Sequence, residues 1–338
     1  MRRLTGLSFM FLLLSCGSEP PRILSNTSEV TSQEPRSRTL EDTYAFTGLK
    51  RRHAESLNTR YPVVFHHGLC GFDKILFVDY YYKIPEHLKS LGVDVHSTKV
   101  SPVATIKVRA QELATQIDRI LAQTGASKVN LIGHSMGGLD ARYLISTLGY
   151  GDRVATLTTL GTPHQGTLIA DLIYRAVKSG KVDGIIDLLQ SLTGRPPSCK
   201  DLPTRQCDRQ TMRFAWNIRG VAWNLSEEFL KNHFNPQNPP DPRVQYQSYS
   251  GIASRWGWPG RPPKVEEVFS PIYLYLKTIS GDNDGLVPTT SAVHGFDRGI
   301  LPADHLDLIG HLLGATGGRY DHVAFFKNLV KELQNRDF

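Results

Sequence analysis

Apolar and polar positions along the chain switch repeatedly between a two-residue and a 3.6-residue period. Tyr61-Pro-Val-Val-Phe-His66 is a β-branched and aromatic run that predicts a short buried strand. Tyr81 to Leu91 has helical spacing and stops at Gly92, a residue suited to a helix C-terminus. Val93 to Ser97 alternates as a strand does. Thr105 to Ala122 places Ile106, Leu113, Ile117, Ile120 and Leu121 on one helical face, and Gly125 ends it. Lys128 to Gly133 predicts a strand that runs into an abrupt turn, Leu139 to Leu148 a helix, and Arg153 to Leu160 another strand. Thr167 to Leu192 is amphipathic, with Leu168, Ile169, Leu172, Ile173, Val177, Ile185, Ile186, Leu188 and Leu189 in helical register. Pro196 to Pro263, rich in Pro, Asn, Arg and aromatics, resists parsing apart from the strand-like Val244 to Tyr249. Asp321 to Leu333 closes the chain as a helix with Val323, Phe326, Leu329 and Val330 inward. Strands that alternate with helices predict an α/β fold with a mostly parallel central sheet and helices on both faces.

The first residues do not belong to that pattern. Arg2 and Arg3 precede an apolar run, Leu4 to Leu14, too short to span a bilayer as a stable helix. The run ends in Leu13-Leu14-Ser15-Cys16, which resembles the lipobox of bacterial lipoprotein signal peptides. That resemblance implies cleavage after residue 15 and a diacylglycerol on the Cys16 thiol. Gly17, in place of Asp, implies the outer membrane of a Gram-negative envelope. Residues 16–43, dominated by Ser, Thr, Pro, Glu and Arg up to Arg38, bury too little apolar surface to offset chain entropy and read as a disordered tether. The catalytic domain is expected over 44–338.

Composition narrows the class. Of 338 residues, 40% are hydrophobic and 21% charged, enough to bury one large core. The net charge of +7 falls by two when Arg2 and Arg3 leave with the signal. The remaining excess favours an anionic surface such as a membrane, but it forms no basic run, so nucleic-acid binding has no support. With Cys16 assigned to the lipid, Cys199 and Cys207 flank a short polar loop and can pair in an oxidising compartment, leaving Cys70 over.

Gly133-His-Ser135-Met-Gly137 fits the G-x-S-x-G pattern between a predicted strand and a predicted helix. Small residues on either side of the serine let strand and helix approach around a strained turn that lifts the hydroxyl above the sheet. A serine hydroxyl needs a base, and the base needs a carboxylate to orient it. Downstream, Gly281-Asp-Asn-Asp284-Gly offers Asp282 and Asp284. Ala303-Asp-His305-Leu-Asp307 offers a histidine, in competition with His294, His311 and His322. Near the start, the His-Gly of Phe65-His-His-Gly68-Leu-Cys-Gly-Phe72 supplies flexible backbone whose amide can bind an oxyanion.

Taken together, Tyr61 to Asp73, Asn130 to Gly138, Gly161-Thr-Pro-His-Gln-Gly166, Asn283-Asp-Gly-Leu-Val287 and His305-Leu-Asp307 resemble the bacterial true lipases of the Pseudomonas and Burkholderia type, in the same order. The resemblance implies the α/β-hydrolase fold and hydrolysis of carboxylic esters, typically triacylglycerols, with no organic cofactor. It assigns Asp284 and His305 to a triad with Ser135, and the backbone amides of Leu69 and Met136 to the oxyanion hole. It implies a helical lid over about 167–193. It also implies a structural calcium ion near the histidine loop, held by the Asp307 carboxylate and by backbone carbonyls at His311 and Ala315. The second acidic ligand has no clear counterpart; Lys264 and Val265 fall near its place, with Glu266 and Glu267 beside them. Whether a dedicated foldase is a partner stays open. A phospholipase or acyltransferase on the same scaffold, or a non-catalytic lipid-binding lipoprotein, are the rival readings.

Overall fold

Six strands lie side by side in the order β4-β1-β5-β6-β7-β8, and every neighbouring pair is parallel. They are β1 (Val63–His66), β4 (Val95–Ser97), β5 (Val129–His134), β6 (Val154–Leu160), β7 (Gln245–Gly251) and β8 (Phe296–Leu301). A small antiparallel pair, β2 (Lys74–Ile75) and β3 (Val78–Asp79), stands apart. This computed structural model describes residues 56–69, 74, 75, 78–179, 217–257, 262–311, 313, 314, 316 and 320–338. The expected signal peptide, the tether, Cys16, Cys70, the Cys199–Cys207 pair, the start of the domain at 44 and Ala315 lie outside those residues.

The central strands are buried along their whole length because both faces are covered, and Val, Ile, Leu and Phe dominate β1 and the middle of β5. Val63 and Phe65 point to one face, where Ile84 and Leu88 of α1 (Ile84–Ser90) and Phe326, Leu329 and Val330 of α8 (His322–Asn335) meet them. Val64 points to the other, against Leu113 and Ile117 of α2 (Ile106–Thr124) and Leu144 and Ile145 of α3 (Met136–Ser146). Phe65 packs against the rings of Tyr81 and Phe326 at centroid distances of 4.7 and 5.5 Å. Full burial of such an aromatic contributes roughly 2–3 kcal/mol. The expected parallel sheet with helices on both faces is therefore what the chain builds.

Two expectations shift. The helix expected from Leu139 begins at Met136, because Gly137 and Gly138 carry no apolar periodicity yet sit in its first turn. The amphipathic stretch expected over 167–192 is helical as α4 from Leu168 to Lys178, and its continuation from 180 lies outside the described residues. Beyond the undescribed part, residues 217–225 form α5 and Glu227–Phe229, Leu230–Phe234 and Asn235–Gln237 form α6, helical throughout with a π turn in its middle. Ser270–Ile279 is α7. Strand β8 was not foreseen.

Candidate active site

Ser135 stands between the last residue of β5 and the first of α3, with φ 55° and ψ −132°. A non-glycine residue rarely adopts positive φ, and holding it there costs about 1–3 kcal/mol that the surroundings must supply. They do so at both ends of the residue. The Ser135 amide donates to the Leu160 carbonyl at 2.9 Å, and the Ser135 carbonyl accepts from the Thr162 hydroxyl at 2.8 Å. The helix can come this close only because Gly138 has no side chain: a Cβ there would lie 2.3 Å from Thr162 Oγ1.

The serine hydroxyl donates to His305 Nε2 at 2.9 Å. The opposite ring nitrogen, Nδ1, donates to Asp284 Oδ2 at 2.8 Å. A carboxylate only accepts, so this bond fixes the histidine tautomer and leaves Nε2 free to take a proton. Asp284 is buried, and its Oδ1 accepts the Leu286 and Val287 amides at 3.0 and 2.7 Å. The His305 amide donates to the Asp284 carbonyl at 2.8 Å, so acid and base are joined through backbone as well as side chain. The structure brings together residues 135, 284 and 305, drawn from three separate loops at the carboxyl ends of the strands. It does not bring in their rivals. Asp282 pairs with Lys277. His294 stacks on His164, His311 packs against Tyr80, and His322 bonds the Tyr82 carbonyl.

Beside the serine runs the loop after β1. A Cβ on Gly68 would lie 2.8 Å from Ser135 Cβ, so only glycine lets this backbone approach the nucleophile. His67 Nδ1 donates to the Gly68 carbonyl at 2.9 Å, and His67 Nε2 accepts the Val100 amide at 3.1 Å. The carbonyl of the Gly68–Leu69 peptide is thus held, which sets the direction of the Leu69 N–H. Met136 is the first residue of α3, and an amide in that position has no acceptor within its own helix. Burial, followed by the nearby Arg109 charge, keeps the His67 ring well below its ordinary protonation range.

Sequence reasoning missed the layer beneath this loop. Arg109, fully buried, donates through Nη2 to the His67 carbonyl at 2.7 Å, through Nη1 to the Ser101 carbonyl at 2.9 Å, and through Nε to Asp140 Oδ2 at 2.8 Å. His66 Nε2 donates to the same Asp140 oxygen at 3.0 Å. Polar residues inside runs otherwise apolar, His66 in β1 and Asp140 in α3, were the signal available. Above the serine the wall is apolar. Met136 and Leu139 pack with Val103, Ile106, Ile218 and Val221, and Leu69, Ile173 and Val177 lean on the same cluster.

Of the residues expected to hold calcium, Asp307 and His311 are described, both buried, and Ala315 lies outside the described residues. Asp304 directs Oδ1 to the Leu306 and Asp307 amides and Oδ2 to the Glu266 amide. Burial, and then the Asp304 and Glu266 charges, push the Asp307 carboxyl up to about 8. Among the described residues no three His, Cys, Asp or Glu side chains are arranged to hold a metal; the expected site draws on backbone carbonyls as well. No chemical step is assigned to such an ion.

Comparison with known proteins places this geometry in a family. A sequence profile of the α/β hydrolase fold matches residues 61–311. A triacylglycerol lipase of Vibrio cholerae is 33% identical over 281 residues, covering 76% of this chain and 81% of its own. A triacylglycerol lipase of Burkholderia plantarii is 42% identical over 316 residues, covering 82% and 86%. Among solved structures, the Staphylococcus hyicus lipase superposes with a TM-score of 0.62 at 17% identity over 85% of this chain and 98% of its own. The mature Bacillus licheniformis lipase superposes with a TM-score of 0.57 at 21% identity over 84% and 96%. The chain belongs to the α/β-hydrolase fold family, among its bacterial lipases, and is a serine hydrolase of carboxylic esters.

Proposed function

We propose that this protein is a membrane-anchored lipase in which Ser135, His305 and Asp284 form the catalytic triad. The observation that carries the reading is the continuous line from Ser135 Oγ through His305 to Asp284, at 2.9 and 2.8 Å, with the serine on a strained turn. His305 takes the hydroxyl proton as Ser135 attacks the ester carbonyl, and the Leu69 and Met136 amides hold the oxyanion. The imidazolium then protonates the leaving alcohol. Water, deprotonated by the same ring, frees the acyl group and restores the serine. Asp284 stays ionised throughout and stabilises the imidazolium.

Acylglycerols are the substrate class that the names of the relatives support. Helix α4 buries only Ala170 fully and exposes Leu172, which suits a lid that turns its apolar face to a lipid surface. The anchor is the lipid on Cys16, and the location is the cell envelope, on the outer membrane. Among the described residues no helix is long and apolar enough to cross a membrane.

Ser135→Ala is the deciding experiment. It is expected to abolish hydrolysis of p-nitrophenyl esters and labelling by a fluorophosphonate while the thermal midpoint stays within a few degrees. Full activity in a folded Ser135→Ala protein would sink the reading. Product analysis on glycerides and phospholipids, with and without acceptor alcohols, separates lipase from phospholipase or acyltransferase. Cys16→Ser is expected to move the protein from the membrane to the soluble fraction.

A further inference from the structure

We infer that Tyr80 and His134 are positioning residues that lock the oxyanion loop, at Gly68, to the backbone of the base through one continuous run of hydrogen bonds. The inference rests on the triad reading above. The Gly68 amide donates to Tyr80 Oη at 3.1 Å, Tyr80 Oη meets His134 Nδ1 at 2.8 Å, and His134 Nε2 meets the His305 carbonyl at 2.9 Å. Donor and acceptor roles follow from the last link. A carbonyl only accepts, so Nε2 carries the hydrogen and Nδ1 is bare. The single hydroxyl hydrogen of Tyr80 therefore goes to Nδ1, and a lone pair of the same oxygen accepts from Gly68. Every member has one consistent arrangement.

The run joins the three loops that have to agree. One end is the His67–Gly68 peptide, whose carbonyl is held by Arg109 at 2.7 Å while Tyr80 holds its N–H. That fixes the plane on one side of Gly68, and His67 Nδ1, bonded to the Gly68 carbonyl at 2.9 Å, holds the next plane, which carries the Leu69 N–H. The other end is His305, whose amide is held by Asp284 and whose carbonyl is held by His134. His134 is the last residue of β5, next to Ser135, and its ring lies 4.7 Å from the His305 ring between centroids. Burial keeps that ring uncharged beside the base, so it does not oppose the imidazolium formed on His305. Tyr80 and His134 are themselves buried, at 6% and 0% exposure, and act through backbone. Placement of reacting groups to within a fraction of an ångström decides rate, and here it depends on one phenol oxygen.

Tyr80→Phe deletes that oxygen and keeps the ring. In the full-length protein, with p-nitrophenyl butyrate, kcat is expected to fall between about tenfold and a hundredfold, less than loss of a whole oxyanion donor causes. KM is expected to stay within about twofold and the thermal midpoint within a few degrees. His134→Leu is expected to lose at least as much. The double variant should be no more than about threefold below the worse single one, because the run is broken once. A folded Tyr80→Phe protein with kcat within twofold of wild type, or losses that multiply in the double variant, overturns the inference. If His134→Leu does not fold, the separation of kcat from KM in Tyr80→Phe still decides. Wild type and Ser135→Ala are assayed alongside. An inactive wild type overturns the triad reading itself, whereas an active wild type with an active Tyr80→Phe overturns only the positioning role.

Discussion

At Asp284 two jobs meet in one carboxylate. Oδ2 orients His305, and Oδ1 closes its own loop through two amides. Asp284→Asn presents an amide that can settle either way round, and the amide N–H cannot accept from His305 Nδ1. The wrong tautomer then faces Ser135. A loss of about 10⁴ in kcat is expected, with KM little changed, and steady-state assays against soluble esters read it directly. A decline under tenfold would mean that the acid is elsewhere. Gly68 gives a second, purely steric prediction. Gly68→Ala puts a methyl 2.8 Å from Ser135 Cβ and 3.0 Å from the Tyr80 hydroxyl. The loop must move, and the Leu69 amide moves with it. A fall in kcat of about a hundredfold is expected in a protein that still folds, and activity near wild type would show that this loop yields without consequence.

Helices differ in how far the fold encloses them. Phe326 in α8 is fully buried against Phe65 and Tyr81. Its replacement by Ala leaves a cavity under the sheet, so a loss of about 3–5 kcal/mol is expected in urea unfolding. A loss below about 1 kcal/mol would mean that the two layers collapse to fill it. Helix α4 lies at the other extreme, with Leu172 44% exposed. Leu172→Asp is expected to leave hydrolysis of dissolved esters unchanged and to lower activity on emulsified triglyceride several-fold. Equal losses on both substrates would assign α4 to the core.

These elements also show what the sequence made legible. The strands β1, β5 and β6 were readable because two-sided burial favours apolar and β-branched residues, and the serine because its turn needs small neighbours. Strand β8 was not. It is the sheet edge, and none of its residues is fully buried, so Phe296-Asp-Arg-Gly-Ile-Leu301 carries no period to detect. Of the site, the triad and the two amide donors were named from motifs. Arg109, Asp140, Tyr80 and His134 were not, because a polar residue among apolar ones says that it is buried but not what it bonds; the Arg109–Asp140 and Tyr80–His134 partners lie 31 and 54 residues apart in sequence.

Over the whole molecule the buried histidines set the response to acid. Burial holds His67, His134 and His164 well below their ordinary range. It also lowers His66 and His322, and brings His311 to about 4 and His294 to about 3. In the unfolded chain each takes a proton near pH 6.5. As pH falls through that value, the unfolded state binds protons that the folded state refuses, and stability drops. Each histidine adds a slope of up to about 1.4 kcal/mol per pH unit. Three carboxyls oppose this. Asp304, Asp307 and Glu266 are raised by burial, so the folded state keeps protons that the unfolded state has released above about pH 4. Seven histidines against three acids decide the sign: below pH 6.5 stability falls with acid. Above it the histidines are neutral in both states, and the raised carboxyls, Asp307 at about 8 among them, lower stability mildly towards alkaline pH as they ionise. Urea midpoints measured from pH 4.5 to 8.5 are therefore expected to peak near pH 6.5–7, with the steeper side acidic. His294→Leu should flatten that side by about one proton. A midpoint independent of pH between 5 and 7 would mean that these rings are protonated in the native protein, against the burial that surrounds them.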